Sequence, residues 1–232
     1  MSETPTVSVV ITFWNRADYL PEAVEGVLAQ ALPPGATSEL VMIDDGSDDD
    51  SAAVAQRYAP PARVVRQENR GSGGSANRGV REARGEYLAF CDSDDVWLPG
   101  KLEAQLAAMA DGDADLVFVH VEEFLSPELD PELVRTRPLR DAMPGYIPSS
   151  VLLRRSSFDE IGPIDESLQN GGWVDWYMRA KAAGLREQVL DGVYVRRRIH
   201  GTNNWAVQEQ SGAGYLRALR TWVHSQRESE QS

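Results

Sequence analysis

The chain has 232 residues, 42% of them hydrophobic and 25% charged, the make-up of an ordinary globular protein with room for one large α/β domain. Its formal net charge of −13, from 23 Lys+Arg against 36 Asp+Glu, argues against wrapping of DNA or RNA and against a polybasic hold on an anionic membrane. No stretch approaches the ~20 apolar residues of a membrane span, Met1–Pro5 carries no signal-peptide pattern, and the single cysteine, Cys91, rules out an internal disulfide, so the expected location is the cytoplasm.

Val7–Phe13 is an apolar run of strand type, and residues 18–30 follow with Leu20, Val24, Val27 and Leu28 on one helical face. Pro33-Pro34-Gly35 breaks that helix. A second strand at 40–43 ends in Asp44-Asp45-Gly46-Ser47, and a short helix at 48–58 opens on acidic residues that suit its dipole. Arg63–Arg66 is a third strand, residues 71–84 begin glycine-rich and continue as a helix, and 87–91 form a fourth strand. A helix at 99–109 starts with proline, and 116–121 form a fifth strand. This alternation predicts a nucleotide-binding α/β plan with a largely parallel sheet, in which ligands meet the carboxyl ends of the strands.

The second half is looser. Residues 126–148 hold Pro127, Pro131, Pro138, Pro144 and Pro148 and read as a long loop with helical pieces. A strand is expected at 149–153, a helical turn at 156–161, a helix at 174–183 ended by Gly184, one or two strands within 189–199, and a last amphipathic helix over 208–224. The expected organisation is one domain over 1–225, with halves at 6–120 and 121–225, and a flexible tail at 226–232.

The fourth strand ends in Asp92-Ser93-Asp94-Asp95. Three carboxylates at the end of a buried strand are unfavourable unless a positive partner meets them. Mg²⁺ or Mn²⁺ fits, since such ions take a few carboxylate oxygens and complete their shells with water and substrate phosphates. An acidic turn capping the next helix is the plainer alternative. Cys91, beside this cluster, reads as a small core residue.

Four stretches in this order resemble family 2 glycosyltransferases of the GT-A fold. They are Val7 to Arg16; Val41 to Ser47; Asn69 through Asn77-Arg78-Gly79 to Asp92-Ser93-Asp94-Asp95; and Arg196-Arg197-Arg198-Ile199-His200-Gly201. The resemblance implies a single Rossmann-like domain with a central mixed, mostly parallel sheet flanked by helices. It also implies metal-dependent, inverting transfer of a sugar from a nucleotide diphosphate, with Mn²⁺ or Mg²⁺ as cofactor.

By the same resemblance the nucleotide-sugar would be held by Thr12, Trp14, Asn15, Arg16, Asp45, Asn69, Gly73, Asn77, Arg78, Asp92, Ser93 and Arg198. Trp14 offers an aromatic face to a base, and Asp45 a carboxylate to an imide N–H, which favours UDP. Asp44 is expected to tie down its own turn. Asp94 and His200 are the expected metal ligands, while Asp95 caps the following helix or orients its neighbours. Two positions depart from the family pattern. Ala76 stands where an arginine is usual, and Gly172-Trp173 stand where the family carries the Glu-Asp pair that includes its base. Asp175 is the nearest carboxylate and is the expected base, against the alternative of an i,i+4 ion pair with Arg179. Trp173 is the expected acceptor contact, and Trp176 the expected core residue.

The leading expectation is therefore transfer from a UDP-sugar to a soluble acceptor (a peptide, small metabolite or glycan), with no nucleic-acid partner and with a homodimer allowed. A nucleotide-sugar-binding module with little catalysis is the alternative, motivated by the missing pair. A sugar nucleotidyltransferase ranks lower, because Thr12–Arg16 contains no glycine.

Overall fold

The computed structural model describes residues 6–129, 139–168 and 171–201. The helix expected over 208–224 and the tail lie outside these residues.

Strands β1 (Val7–Phe13), β2 (Ser38–Asp44), β3 (Arg63–Arg66) and β4 (Tyr87–Asp92) pair in parallel in the order β3-β2-β1-β4. Helices α1 (Leu20–Leu28), α2 (Ser51–Gln56) and α3 (Gly71–Glu82) make the crossovers. There follow β5 (Val96–Trp97), α4 (Lys101–Ala110), β6 (Leu116–Leu125), β7 (Met143–Pro144), β8 (Leu152–Arg154), α5 (Arg155–Ile161), α6 (Gly172–Ala182) and β9 (Glu187–Ile199). All strands join one mixed sheet of order β3-β2-β1-β4-β8-β6-β9-β5, with β7 attached to β6. The parallel pairings are the long ones; β6 and β9 pair in parallel through Leu125 and Ile199, whereas β8 and β5 join through short antiparallel contacts.

The period of two in the strands divides the core into two layers. Val9, Ile11, Ala89 and Cys91 face α1 and α4, meeting Leu20, Val24 and Leu102. Val10, Leu88 and Phe90 face the opposite side, meeting Val80 of α3, Phe158 of α5 and Trp176 of α6. Trp176 is fully buried, stacks on Phe158 and Trp173, and donates its indole N–H to the Gly162 carbonyl at 2.9 Å. Cys91 is buried in the first layer, where desolvation and the Asp95 charge push its thiol well above the usual range.

Two departures from the sequence reading have clear causes. β6 runs to Leu125, beyond the apolar run, because Glu122 and Glu123 meet Arg196 and Arg197 of β9, at 3.0 and 3.9 Å. The expected strand over 149–153 instead begins as a 3₁₀ turn at Pro148–Ser150. There the Ser149 carbonyl accepts the Trp97 indole N–H at 2.9 Å, and the Ser150 carbonyl accepts Gln105 Nε2 at 2.8 Å. Side chains thus take the bonds that a ladder would have used. β5 and β7, of two residues each, carry no periodicity to read.

Lys101, at the first position of α4, is fully buried. Its ammonium lies 3.7 Å from the Trp97 ring centroid and donates to Gln105 Oε1 at 2.9 Å. Burial lowers its pKa to about 7. Between that value and the ordinary lysine range the unfolded chain binds the extra proton, so stability rises with pH across that window and the burial cost is fully present only below about pH 7. Lys101→Met is expected to stabilise the protein at pH 7 by on the order of 1–3 kcal/mol. Thermal unfolding followed from pH 7 to 10 checks this: the wild-type midpoint should climb relative to that of the variant.

Candidate active site

Strand order reverses at β1, between β2 and β4, and at such a point a crevice opens at the carboxyl ends of the strands. It contains a cavity of about 870 Å³. That is within the range of about 300–1,000 Å³ usual for small-molecule sites. Thr12, Trp14, Arg16, Asp45, Asn69, Arg70, Gly73, Asp92, Ser93 and Asp94 all line it, so residues far apart in the chain meet here.

At one end Trp14 is half exposed, its ring presented to the cavity rather than to the core. Asp45 is buried, and its Oδ1 accepts Gln67 Nε2 at 2.7 Å and the Arg70 N–H at 2.9 Å. Those two bonds fix the carboxylate plane. Asp44 holds its own turn, as expected, by accepting the Ser47 N–H at 2.8 Å. Asn15 is not on the cavity wall. It sits at φ 51° in the left-handed region, and its Oδ1 accepts the Asp48 N–H at 2.8 Å, so it braces the loop that carries Trp14 and Arg16.

Helix α3 begins at Gly71 and presents its first turn, Gly71 to Gly73 with Ser75, to the cavity. The Gly71 N–H donates to Asn69 Oδ1 at 3.2 Å, and the dipole of the helix favours a negative ligand at this end. A Cβ on Gly73 would lie 3.2 Å from Ile164 Cγ2, a tight contact that Ile164 would have to yield to, so glycine eases the packing of α3 on the 162–168 loop. Asn77 and Arg78 sit behind that turn, off the cavity wall. The Asn77 amide is buried and bonds both backbone groups of Ile164, at 2.8 and 2.9 Å, while Arg78 pairs with Glu82 at 2.9 Å. Asn77 therefore staples α3 to the 162–168 loop.

At the other end, Asp94 Oδ2 lies 2.9 Å from His200 Nε2 and 3.6 Å from Arg16 Nε. Burial alone would push the Asp94 carboxyl up, but the His200 hydrogen bond and the Arg16 charge outweigh it and hold it below the usual range. Asp92 goes the other way, to about 6, from burial and the Asp94 charge. Asp95 is raised well above the carboxylate range by burial and by both neighbours. Its Oδ1 accepts the Arg198 N–H at 3.3 Å, and its Oδ2 is buried without a hydrogen bond. Asp95 does not cap α4, whose cap is Gly100.

The arginine triplet of β9 divides by strand parity. Arg198 is buried, pairs with Glu22 and donates to the Asp94 carbonyl at 3.2 Å, while its guanidinium and that of Arg196 both lie over Phe124. It therefore positions the Asp94 backbone and is not on the cavity wall. The residue of this triplet that lines the cavity is Arg197, whose charge lowers the Asp92 and Asp95 carboxyls.

No three metal-ligating side chains converge on one point among the described residues. The donor set suits a cation with one or two protein ligands and the remainder from phosphate and water, not an all-protein cage. One Asp95 oxygen is buried without a hydrogen bond, and burial followed by the neighbouring carboxylates raises Asp92 and Asp95, so a cation would be favoured here.

Asp175, the expected base, makes the i,i+4 pair that is its alternative role. Its Oδ2 accepts Arg179 Nε at 2.9 Å, and Arg179 also donates to the Ile161 and Pro163 carbonyls at 2.7 and 2.8 Å. This clamp ties α6 to the 161–163 turn, and Asp175 lines neither cavity of this region. Gly172 has a packing reason to lack a side chain, since a Cβ there would lie 2.8 Å from Ile164 Cγ2. The carboxylate that does line the main cavity from this side is Glu166, missed from sequence. Arg70 Nη2 donates to it at 2.6 Å and Asn77 Nδ2 at 3.1 Å. Asp175→Asn is expected to cost under about 1 kcal/mol of stability, and to leave donor turnover within about twofold, since the pair acts through the helix and not on substrate; thermal melts and steady-state rates check both.

The Glycosyl transferase family 2 model matches residues 8–162. The chain is 28% identical over 239 residues to an uncharacterized glycosyltransferase of Rickettsia prowazekii, covering 93% of this chain and 73% of that one. It is 32% identical over 216 residues to an uncharacterized glycosyltransferase of a Nostoc species, covering 85% of this chain and 66% of that one. Among solved structures, S. aureus TarS 1-349 in complex with UDP-GlcNAc superposes with a TM-score of 0.76 at 19% identity, covering 93% of this chain and 65% of that one. The mannosyltransferase PcManGT of Pyrobaculum calidifontis, in complex with GDP-Man and Mn²⁺, superposes at 0.71 and 18%, covering 94% of this chain and 65% of that one. The chain thus spans about two thirds of those solved chains. No helix among the described residues is long and apolar enough to cross a membrane.

Proposed function

This chain belongs to glycosyl transferase family 2, and from that premise we propose that it moves a sugar from a UDP-sugar to an acceptor hydroxyl, with inversion and with a divalent cation. The observation that carries the reading is one crevice with an aromatic face and Asp45 at one end, a helix N-terminus along its wall, and Asp92 and Asp94 at the other, where the fully buried His200 meets Asp94 from outside the cavity wall.

Trp14 covers the base, and Asp45 accepts the imide N–H of uracil. The diphosphate lies against the first turn of α3, within reach of Arg16 and Arg197. Asp94 and His200, with Asp92 beside them, would hold Mn²⁺ or Mg²⁺, which supplies Lewis acidity toward the leaving diphosphate. The acceptor oxygen bonds to the anomeric carbon as that carbon's bond to the β-phosphate oxygen breaks. UDP departs with the electron pair, and the acceptor's proton passes to Glu166. Arg70 and Asn77 hold that carboxylate in a set orientation for this transfer. Trp173, the expected acceptor contact, is proposed to stand where donor sugar and acceptor meet, and the acceptor class is a soluble peptide, metabolite or glycan. The UDP-GlcNAc bound by TarS and the GDP-Man and Mn²⁺ bound by PcManGT support a nucleotide-sugar and cation reading.

The test is incubation with Mn²⁺ and a panel of UDP- and GDP-sugars, reading free nucleoside diphosphate. Release from a UDP-sugar, lost on removal of the cation with a chelator, is the expected result. Release from GDP-sugars alone, or unaffected by the chelator, would overturn the corresponding part of the reading.

A further inference from the structure

A second, smaller cleft of about 70 Å³ opens beside the main cavity and shares Thr12, Ser72, Gly73 and Asp92 with it. Its remaining walls are mainly apolar: Ala76 from α3, Phe90 from β4, Ile164 from the 162–168 loop and Trp173 from α6. Phe90 and Ile164 are buried. Trp173 is held in place by stacking on Trp176, with ring centroids 5.3 Å apart, and by donating to the Tyr146 carbonyl at 3.3 Å. Both departures from the family pattern meet here. Ala76 leaves the space that a long charged side chain would occupy, and Trp173 makes a wall where a carboxylate would place charge.

The cleft's chemistry selects its occupant. Its polar groups, Thr12, Ser72 and Asp92, are all shared with the main cavity, and the Cys91 side chain packs in the opposite core layer. A sugar hydroxyl pushed past the rim would lose its water and find no partner. A group with a polar stem and a methyl end keeps its hydrogen bonds at the rim and buries the methyl, worth about 0.8 kcal/mol per buried carbon. The volume suits a group of roughly two to four heavy atoms, given the ~30 Å³ share of one water. We infer that this cleft takes the acetamido group of an N-acetylated donor sugar, and so makes the enzyme selective for N-acetylhexosamine over plain hexose donors. The inference rests on the nucleotide-sugar reading of the main cavity.

Calorimetric titration with Mn²⁺ present, using UDP, UDP-N-acetylglucosamine and UDP-glucose, tests it. UDP-N-acetylglucosamine should bind about 10-fold or more tighter than UDP-glucose. Ala76→Leu, which fills the cleft, should bring that ratio close to one and leave UDP affinity within about twofold, consistent with a contact to the sugar alone. UDP binding is also the check that the variant folds, and Ala76→Val replaces it if leucine is not accommodated. Binding of UDP with equal affinity for the two sugars, or a preference that survives both Ala76 variants, overturns the cleft's assignment and leaves the nucleotide reading intact. No binding of UDP or of either sugar nucleotide overturns both.

Discussion

Asp94→Asn should abolish most donor turnover, with a fall in kcat of about 10²- to 10⁴-fold, because it removes the carboxylate that would hold the Lewis acid at the leaving diphosphate. The carboxylate is held ionised by His200 and Arg16 despite its burial, so it is the member of the acidic cluster most readily available as a ligand. A second readout separates ligation from general damage. In the wild type, Mn²⁺ with UDP at 100 times its dissociation constant should stabilise by about 2.7 kcal/mol. That corresponds to a rise of roughly 5–10 °C in unfolding midpoint for a chain of this size. Asp94→Asn should lose the cation-dependent part of that shift while unfolding near the wild-type midpoint without ligands, since the substitution also relieves repulsion on Asp92 and Asp95. Cation binding should weaken as pH falls through about 6, where Asp92 takes up a proton in the cation-free protein. An Asp94→Asn protein that keeps the full cation shift would end the assignment.

Glu166→Gln should lower kcat by about 10²- to 10⁴-fold, the usual contribution of a positioned general base, with donor affinity little changed. The amide preserves the shape and can still accept from Arg70 or Asn77, so loss of fold is not expected. The comparison with Asp175→Asn decides between two carboxylates that compete for the role. Both pair with an arginine, Glu166 with Arg70 and Asp175 with Arg179, and Glu166 is the one that lines the cavity. The reverse outcome, with Asp175→Asn inactive and folded and Glu166→Gln active, would return the role to Asp175. Loss of turnover that comes with loss of UDP binding in Glu166→Gln would mark it as a structural strut between Arg70 and Asn77.

The parts of this site that were legible in the sequence are those where one short segment carries both the structure and the chemistry. The apolar run 87–91 predicts a buried strand, and the carboxylates after it report the strand end directly. Asp44 closing its own turn, and glycines opening α3, are likewise local. Alternation of strand and helix was enough for the fold class, because period two and period 3.6 are imposed by the backbone within each element.

What only the tertiary structure decided involves side chains whose partners lie far along the chain. Alternation correctly puts Arg196 and Arg198 on one face of β9, but which face meets the cavity depends on its pairing with β6, where register shifts occur at His120. Arg197 faces the crevice, and Arg198 is turned to Glu22 and the Asp94 backbone. Asn77 meets Ile164 and Glu166 across almost 90 positions of sequence, so neither its stapling role nor the placement of Glu166 leaves any local pattern. Spacing places Asp175 near the helix where a displaced base would sit, and the structure pairs it with Arg179 one turn later. The sequence by itself determined the family, the sheet's plan and the acidic strand end. Packing between distant elements determined which arginine, which carboxylate and which apolar walls face the substrate, because a side chain's direction is set by the neighbours it buries against and not by its own place in the chain.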